Sequence, residues 1–336
     1  MIVPRFPFAA LLVSSALLAE THNVVAEKYY RTFSRAHTVL KRIRPGDVVS
    51  TKTLDSGGQD FAGVHRHPEP GNPLTGPFYI EGAEPGDAIR VKLTKLRINR
   101  NWGYSGYRLG VFALDPGTLE KIYPDHYKMD LVRKGSDRLV PWDIDIARGV
   151  VRLREPVSAR MKMEFKAQPM LGCIGVAPQG DFAPTSSPAG NYGGNLDYNR
   201  IGEGVTVILP VFHPGALLFL GDGHALQADG EPTGTGIETT MDVEFTVELR
   251  KQARLTIPRM ENDRYIVSIG AQPEFSSPLD RALQLATSDM AAWLEREYKL
   301  EPWAAHLLIG YQGSYDVVTV AGTMALRIPK SLLPAQ

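Results

Sequence analysis

Apolar and polar positions alternate along much of the chain between Tyr29 and Lys251, and the breaks between these runs are rich in glycine, proline and aspartate. A period of two is the mark of half-buried strands. Val49, Thr51, Thr53 and Asp55 fall on one face of a first strand, which ends at Asp55-Ser56-Gly57-Gly58-Gln59-Asp60; Ile89, Val91 and Leu93 share a face of another. Two similar units, Arg44-Pro45-Gly46-Asp47 and Glu84-Pro85-Gly86-Asp87, each put a turn before an alternating segment and predict hairpins. Gly204 to Val211 reads as a β-branched strand, and Ala216 to Leu220 as a buried strand that ends in acids.

The pattern changes toward the C-terminus. Ser277, Pro278 and Asp280 make a helix start, and Leu279, Leu283, Ala286, Met290, Trp293 and Leu294 recur at helical spacing as far as about Glu297. A second helix is expected from Glu301 to Ile309 with Pro302 in its first turn, and Val317 to Ile328 returns to strand apart from Gly322. The expected fold is mainly β, barrel-like or sandwich-like, over residues 27–251, with a C-terminal α+β portion over 252–336 packed on the same core.

Composition narrows the picture. The 336 residues, 43% hydrophobic, suffice for a large core, and 32 glycines with 25 prolines favour short strands and many turns. Thirty-seven basic residues balance 37 acidic ones with no basic stripe, which argues against a nucleic-acid partner. Cys173 is the single cysteine, so no internal disulfide forms, and its apolar surroundings suit a buried structural thiol. Arg5, the apolar Phe8–Leu18 run and either Leu17-Leu18-Ala19 or Val24-Val25-Ala26 before a cleavage point read as a secretory signal within residues 1–26. That implies a secreted or periplasmic protein with no stable membrane insertion, since no other segment approaches the roughly 20 apolar residues of a membrane span. Gly-x-Ser-x-Gly is absent, and no Gly/Ser-rich stretch offers a Lys-Ser-Ser triad.

The chemistry concentrates in Asp222-Gly223-His224, Asp229-Gly230-Glu231 and Glu238, four carboxylates and one imidazole within 17 residues. Alternate side chains of an extended segment share a face, so Asp222 pairs with His224 and Asp229 with Glu231. Imidazole with carboxylate suits zinc or a similar divalent metal; the same residues also suit a solvated acidic turn. The glycine-dense Ala189–Asp197 stretch would let backbone approach a ligand or simply connect strands. Asp55 can cap the Gly57-Gly58 turn. His65 and His67 suit a solvated hairpin, His213 a packed position, and Trp102 to Gly106 either a lid or a satellite core.

Several phrases in order resemble the acetamidase/formamidase family. They are Asn72-Pro73-Leu74-Thr75-Gly76-Pro77, Ile80 to Asp87, Ile174-Gly175-Val176-Ala177-Pro178, Gly193-Gly194-Asn195-Leu196-Asp197, Gly221-Asp222-Gly223-His224 to Glu231, and Arg327-Ile328-Pro329-Lys330-Ser331. The likeness runs from about Val39 to Pro329. It departs from the family pattern at Ala228, where glycine is usual, and at Leu196, where methionine is usual. The resemblance implies a mainly β fold, unrelated to amidase-signature or nitrilase folds, that hydrolyses small amides to a carboxylate and ammonia. Carried over residue by residue, it implies Asp55, Asp222 and His224 as metal ligands and Glu231 as general base and acid, with Glu238 in reserve. Asn195, with the backbone of Gly193 and Gly194, would hold the substrate carbonyl or amide. Zinc is the expected cofactor; a homo-oligomer is expected. A signal peptide is unusual for a family associated with the cytoplasm. The alternatives are a cyclic or longer amide at the same site, or a secreted calcium-stabilised binding module without turnover.

Overall fold

The computed structural model describes residues 19–69, 71–110, 112–122, 139–271 and 278–335. The apolar Phe8–Leu18 run and Ser277 lie outside them. The first strands are β1 (Thr21–Asn23), β2 (Lys41–Ile43), β3 (Val48–Lys52), β4 (Thr75–Ile80), β5 (Ala88–Ile98) and β6 (Trp102–Ser105), followed by helix α1 (Pro116–Ile122). Next come β7 (Val140–Asp145), β8 (Val150–Leu153), β9 (Glu164–Lys166), β10 (Met170–Val176), β11 (Ala189–Gly190) and β12 (Gly193–Asn195). Then follow β13 (Thr206–Pro210), β14 (Leu218–His224), β15 (Glu238–Thr239), β16 (Met241–Arg250), β17 (Arg259–Glu261) and β18 (Tyr265–Gly270). Helices α2 (Leu279–Glu297) and α3 (Pro302–Gln312) precede β19 (Ser314–Thr319) and β20 (Thr323–Pro329).

Two sheets organise the molecule. One has nine strands in the order β1-β3-β16-β5-β13-β17-β18-β20-β19. The other has eleven, with β11-β12-β10-β14-β15-β6-β7-β8-β9 along its length, β4 beside β14, and β2 beside β4. Their inner faces share one core, in which Val49, Ile89, Val91, Leu93 and Phe245 of the first sheet meet Phe78, Ile174 and Leu220 of the second. Phe78 and Phe245 meet edge-to-face with ring centroids 5.2 Å apart, a geometry worth about 0.5–1.5 kcal/mol beyond the area it buries. The alternation in β3 and β5 is therefore the alternation between this core and the outer face.

The Pro-Gly-Asp turns correct the expected hairpins. β2 lies in the larger sheet and β3 in the smaller, and the same is true of β4 and β5, so each turn hands the chain from one sheet to the other. Turn chemistry specifies the bend, through glycine at φ 94° in Gly46 and 91° in Gly86, without specifying which sheet the next strand joins. Asp47 and Asp87 repeat one hydrogen bond, each accepting the amide three residues back, from Arg44 and Glu84 at 2.9 Å.

β17, β18, β19 and β20 continue the nine-stranded sheet without a break at residue 251. Helix α2 lays Ala286, Met290, Trp293 and Leu294 onto its outer face, against Ile208, Ile266, Leu326 and Ile328. A buried ion pair pins this joint. Arg259 donates to both carboxylate oxygens of Asp289, at 2.7 and 2.8 Å, and its guanidinium lies over the Trp293 ring. Among the described residues no helix is long and apolar enough to cross a membrane.

Candidate active site

β14 carries the apolar run Leu218–Leu220 into the core and delivers Asp222 and His224 to its end, both buried. The pair is brought together, though through a distorted strand. Asp222 has φ 58°, and the ladder to β10 is made at Leu171↔Gly223 and Cys173↔Gly221 but not at the position between them, where Gly172 faces Asp222. Gly172 permits this: a Cβ there would lie 2.6 Å from Asp222 Oδ2 and closer still to Asp197 Oδ1. An isolated glycine in a strand commonly marks such a close approach.

Asp197 arrives from the loop after β12, where it has φ 45° and donates its amide to the Gly172 carbonyl at 3.1 Å. Glu238 sits directly opposite His224 in the β14–β15 ladder. Its Oε1 is 3.2 Å from His224 Nε2, and Asp222 Oδ1 is 3.5 Å from the same nitrogen. Glu231, partly buried, completes the cluster at φ 46°. Two sets of three can each converge on one ion, Asp222 with His224 and Glu238, and Asp197 with His224 and Glu231. Asn72, Asp197, Asp222 and Glu231 all hold left-handed backbone, which non-glycine residues adopt at a cost of order 1–3 kcal/mol each and which gathers at functional sites.

Hydrogen bonds occupy the outer atoms and leave the inner ones bare. Asn72 Nδ2 donates to Asp222 Oδ2 at 3.0 Å and to Asn195 Oδ1 at 3.1 Å. Asn195 Nδ2 donates to Asp197 Oδ2, and the Cys173 thiol donates to Asn195 Oδ1 at 2.7 Å. Asp197 Oδ1, Asp222 Oδ1, Glu238 Oε2 and His224 Nε2 are buried with no hydrogen-bond partner. Buried polar atoms are normally satisfied, and a cluster that leaves several bare is of a kind that can hold a cation.

The electrostatics agree. Burial, with the Asp222 charge adding to it, pushes the Asp197 carboxyl well up; burial and Asp197 do the same to Glu231. Glu238 is pushed up to about 7 by burial, against the pull of His224 and with the push of Asp222. Burial lowers His224, but Glu238 and Asp222 outweigh it and raise the imidazole well above its usual range. One imidazole cannot neutralise four carboxylates in this space.

Of the other expected site residues, Asn195 joins the cluster and the rest have partners outside it. Asp55 is buried, but it caps its turn by accepting the Gln59 amide at 2.8 Å, and its Oδ2 lies 2.8 Å from Arg100 Nη1. Neither set of three includes it. Gly193 and Gly194 are packed within β12, where a Cβ would strike the Ile174 or Pro188 carbonyl, so close strand packing is their role in the fold. Asn195 points into the site and is engaged with Asp197, Asn72 and Cys173. Asp229 is exposed and bonded to Asn199 at 2.7 Å. His65 is exposed, and His213 bonds the Pro178 carbonyl at 2.7 Å. Trp102 to Ser105 form β6, and Tyr104 reaches the site's edge, where its hydroxyl accepts the Gly57 amide at 2.8 Å. Asn72, Asp197 and Gln227, which bonds His224 Nδ1, are additions; Asn72 and Asp197 stand in the phrases that carry the family resemblance, and Gln227 had no sequence signal.

These features define a two-sheet β protein whose chemistry is gathered in one buried carboxylate–imidazole cluster. The chain belongs to the acetamidase/formamidase family, whose sequence model matches residues 25–186 and 181–280. It is similar to the acetamidase of Mycolicibacterium smegmatis, 29% identical over 221 residues, 53% of each chain. A protein of Schizosaccharomyces pombe that carries the provisional name formamidase is 28% identical over 240 residues, 56% of each. The chain thus spans about half the length of the curated relatives it matches. The crystal structure of an acetamidase from Yersinia enterocolitica superposes with a TM-score of 0.77 at 28% identity, covering 96% of both chains.

Proposed function

We propose that this chain hydrolyses a small carboxylic amide, of formamide or acetamide type, to a carboxylate and ammonia with the help of a divalent cation. The observation that carries the reading is that Asp222, His224 and Glu238 can each bring a ligand atom to one point, in a cluster where Asp222 Oδ1, His224 Nε2, Glu238 Oε2 and Asp197 Oδ1 are buried without a hydrogen-bond partner. Asp222, His224 and Glu238 would hold the ion, and the imidazole favours zinc over calcium. Such an ion supplies Lewis-acid polarisation of the amide carbonyl and lowers the pKa of water. Glu231 is the less buried carboxylate and lies outside that set; with the ion's charge beside it offsetting the neighbouring carboxylates, it would take the proton of the attacking water and return it to the departing nitrogen. The low-dielectric surroundings strengthen each of these contacts.

The family membership and the names of the relatives support the substrate class. The test is ammonia release from formamide, acetamide and a lactam panel, before and after chelator dialysis and zinc reloading. Release from the linear amides that the chelator abolishes and zinc restores is expected. Release indifferent to the chelator would overturn the cation, and calcium uptake without any release would favour a binding module.

The proposal extends to a secretory signal and export. β1 starts at Thr21 and pairs in parallel with β3, so cleavage after Ala19 keeps that strand whereas cleavage after Ala26 removes it. The N-terminal mass of exported protein decides between them. Self-association belongs to the same proposal: the uncharged stripe Trp303, Leu307 and Tyr311 on α3 is exposed apolar surface that a second copy would cover.

A further inference from the structure

We infer that Gln227 is a positioning residue that fixes which nitrogen of His224 is offered to the cation, an inference that rests on the cation-dependent reading above. Gln227 is buried, and its side chain bridges two parts of the site. Its Nε2 donates to the Asp197 carbonyl at 2.6 Å, and its Oε1 lies 2.7 Å from His224 Nδ1. A backbone carbonyl only accepts, so the amide must turn its NH2 group toward Asp197 and its oxygen toward the imidazole. An oxygen at that position only accepts as well. Nδ1 therefore carries a proton and donates to Gln227, which leaves Nε2 to face Asp222 and Glu238.

Two further features lock the ring. Gly236 lies flat against it: a Cβ there would come within 2.9 Å of His224 Cβ and closer to Cγ and Nδ1. His224 also sits on β14 opposite Glu238, whose Oε1 lies 3.2 Å from Nε2, so a flipped ring would lose that contact. The bridge ties the ring to the Asp197 loop as well, so one amide sets both the imidazole's donor atom and the height of a second carboxylate. Metal-ligating histidines generally hold their other ring N–H against a carbonyl or carboxylate in this way, and removing that partner costs 10–100-fold in affinity.

The experiment compares zinc affinity, by competition with a chelator, and the 15N shifts of the His224 ring in wild type, Gln227→Leu and Gln227→Glu. Glutamate keeps the acceptor for Nδ1–H, loses the donor to Asp197 and adds a negative charge beside the imidazole. The inference expects roughly 10–100-fold weaker zinc binding and loss of the single Nδ1–H pattern in Gln227→Leu, with affinity within a few-fold of wild type and the pattern kept in Gln227→Glu. A purely structural role would lower the melting temperature of Gln227→Leu while its folded fraction kept wild-type affinity and ring pattern, and that result overturns the inference. If Gln227→Leu does not fold, Gln227→Glu decides: a loss of the Nδ1–H pattern in it contradicts the assignment, and its retention supports it. Wild-type protein that takes up no zinc would overturn the cation reading itself, a result distinct from equal affinity in all three proteins.

Discussion

Gly172→Ala tests the site without removing any of its donors. Gly172 lies in β10 outside the left-handed region, so alanine suits its backbone and the whole effect comes from the added methyl. That Cβ would lie 2.6 Å from Asp222 Oδ2, against about 3.4 Å for ordinary contact, so the carboxylate must retreat by about 0.8 Å, and Asp197 by more. Neither can move freely, because Asn72 and Asn195 hold their outer oxygens. Overpacking of this kind costs about 1–3 kcal/mol, which a domain of this size can absorb. A misplacement near 1 Å at reacting groups costs about 100-fold in rate. The variant should therefore fold, melt a few degrees lower, bind zinc more weakly and release ammonia from acetamide about 100-fold more slowly. Melting curves, metal analysis and steady-state turnover measure the three effects. A Gly172→Ala protein with wild-type turnover and zinc content would refute the claim that Asp197 and Asp222 act as one site above this glycine.

Other residues give independent checks. Burial would raise the Asp47 carboxyl, but the Glu20 amide, His22, the Arg44 amide and the Arg44 guanidinium outweigh it and hold it at about 2 against an ordinary 3.8. A depressed carboxyl stabilises the fold above its unfolded value and loses that contribution as pH falls through the folded one. Asp47→Asn should thus lose roughly 2 kcal/mol at pH 7, with the gap to wild type closing between about pH 4 and pH 2 in denaturant titrations. Asp289→Ala leaves the buried Arg259 guanidinium only the half-exposed Glu297 as counter-charge, and a loss of roughly 3 kcal/mol is expected by chemical denaturation. Asp55→Asn removes the counter-charge of buried Arg100, so it should lower the melting temperature while zinc affinity stays within a few-fold of wild type. A collapse in affinity would return Asp55 to the ligand set.

Strands such as β3, β5 and β16 were legible because each has one face in the shared core, and a period of two survives any topology. The route between sheets was not, since a Pro-Gly-Asp turn looks alike whether the next strand pairs with the last or leaves it. α2 was legible from Ala286, Met290, Trp293 and Leu294, whose helical spacing meets a single sheet face. In the site, Asp222 and His224 stand two residues apart, so local geometry alone joins them. Glu238 comes into place through strand register, and spacing gave only its candidacy. Asp197 and Asn72 converge through left-handed turns and long loops, features that no periodicity encodes, and Gln227 follows His224 by three residues in a turn that carries no pattern of its own. At Asp55 the sequence could not separate turn capping from metal ligation, because both use the same residue type beside the same glycines; its partners in the fold are the Gln59 amide and Arg100.

The most direct test of the central claim is a crystal of zinc-loaded protein measured on both sides of the zinc absorption edge. The account predicts one strong anomalous peak about 2.0–2.2 Å from His224 Nε2 and from carboxylate oxygens of Asp222 and Glu238. An empty position in zinc-saturated crystals, with His224 bonded directly to Glu238, would contradict it.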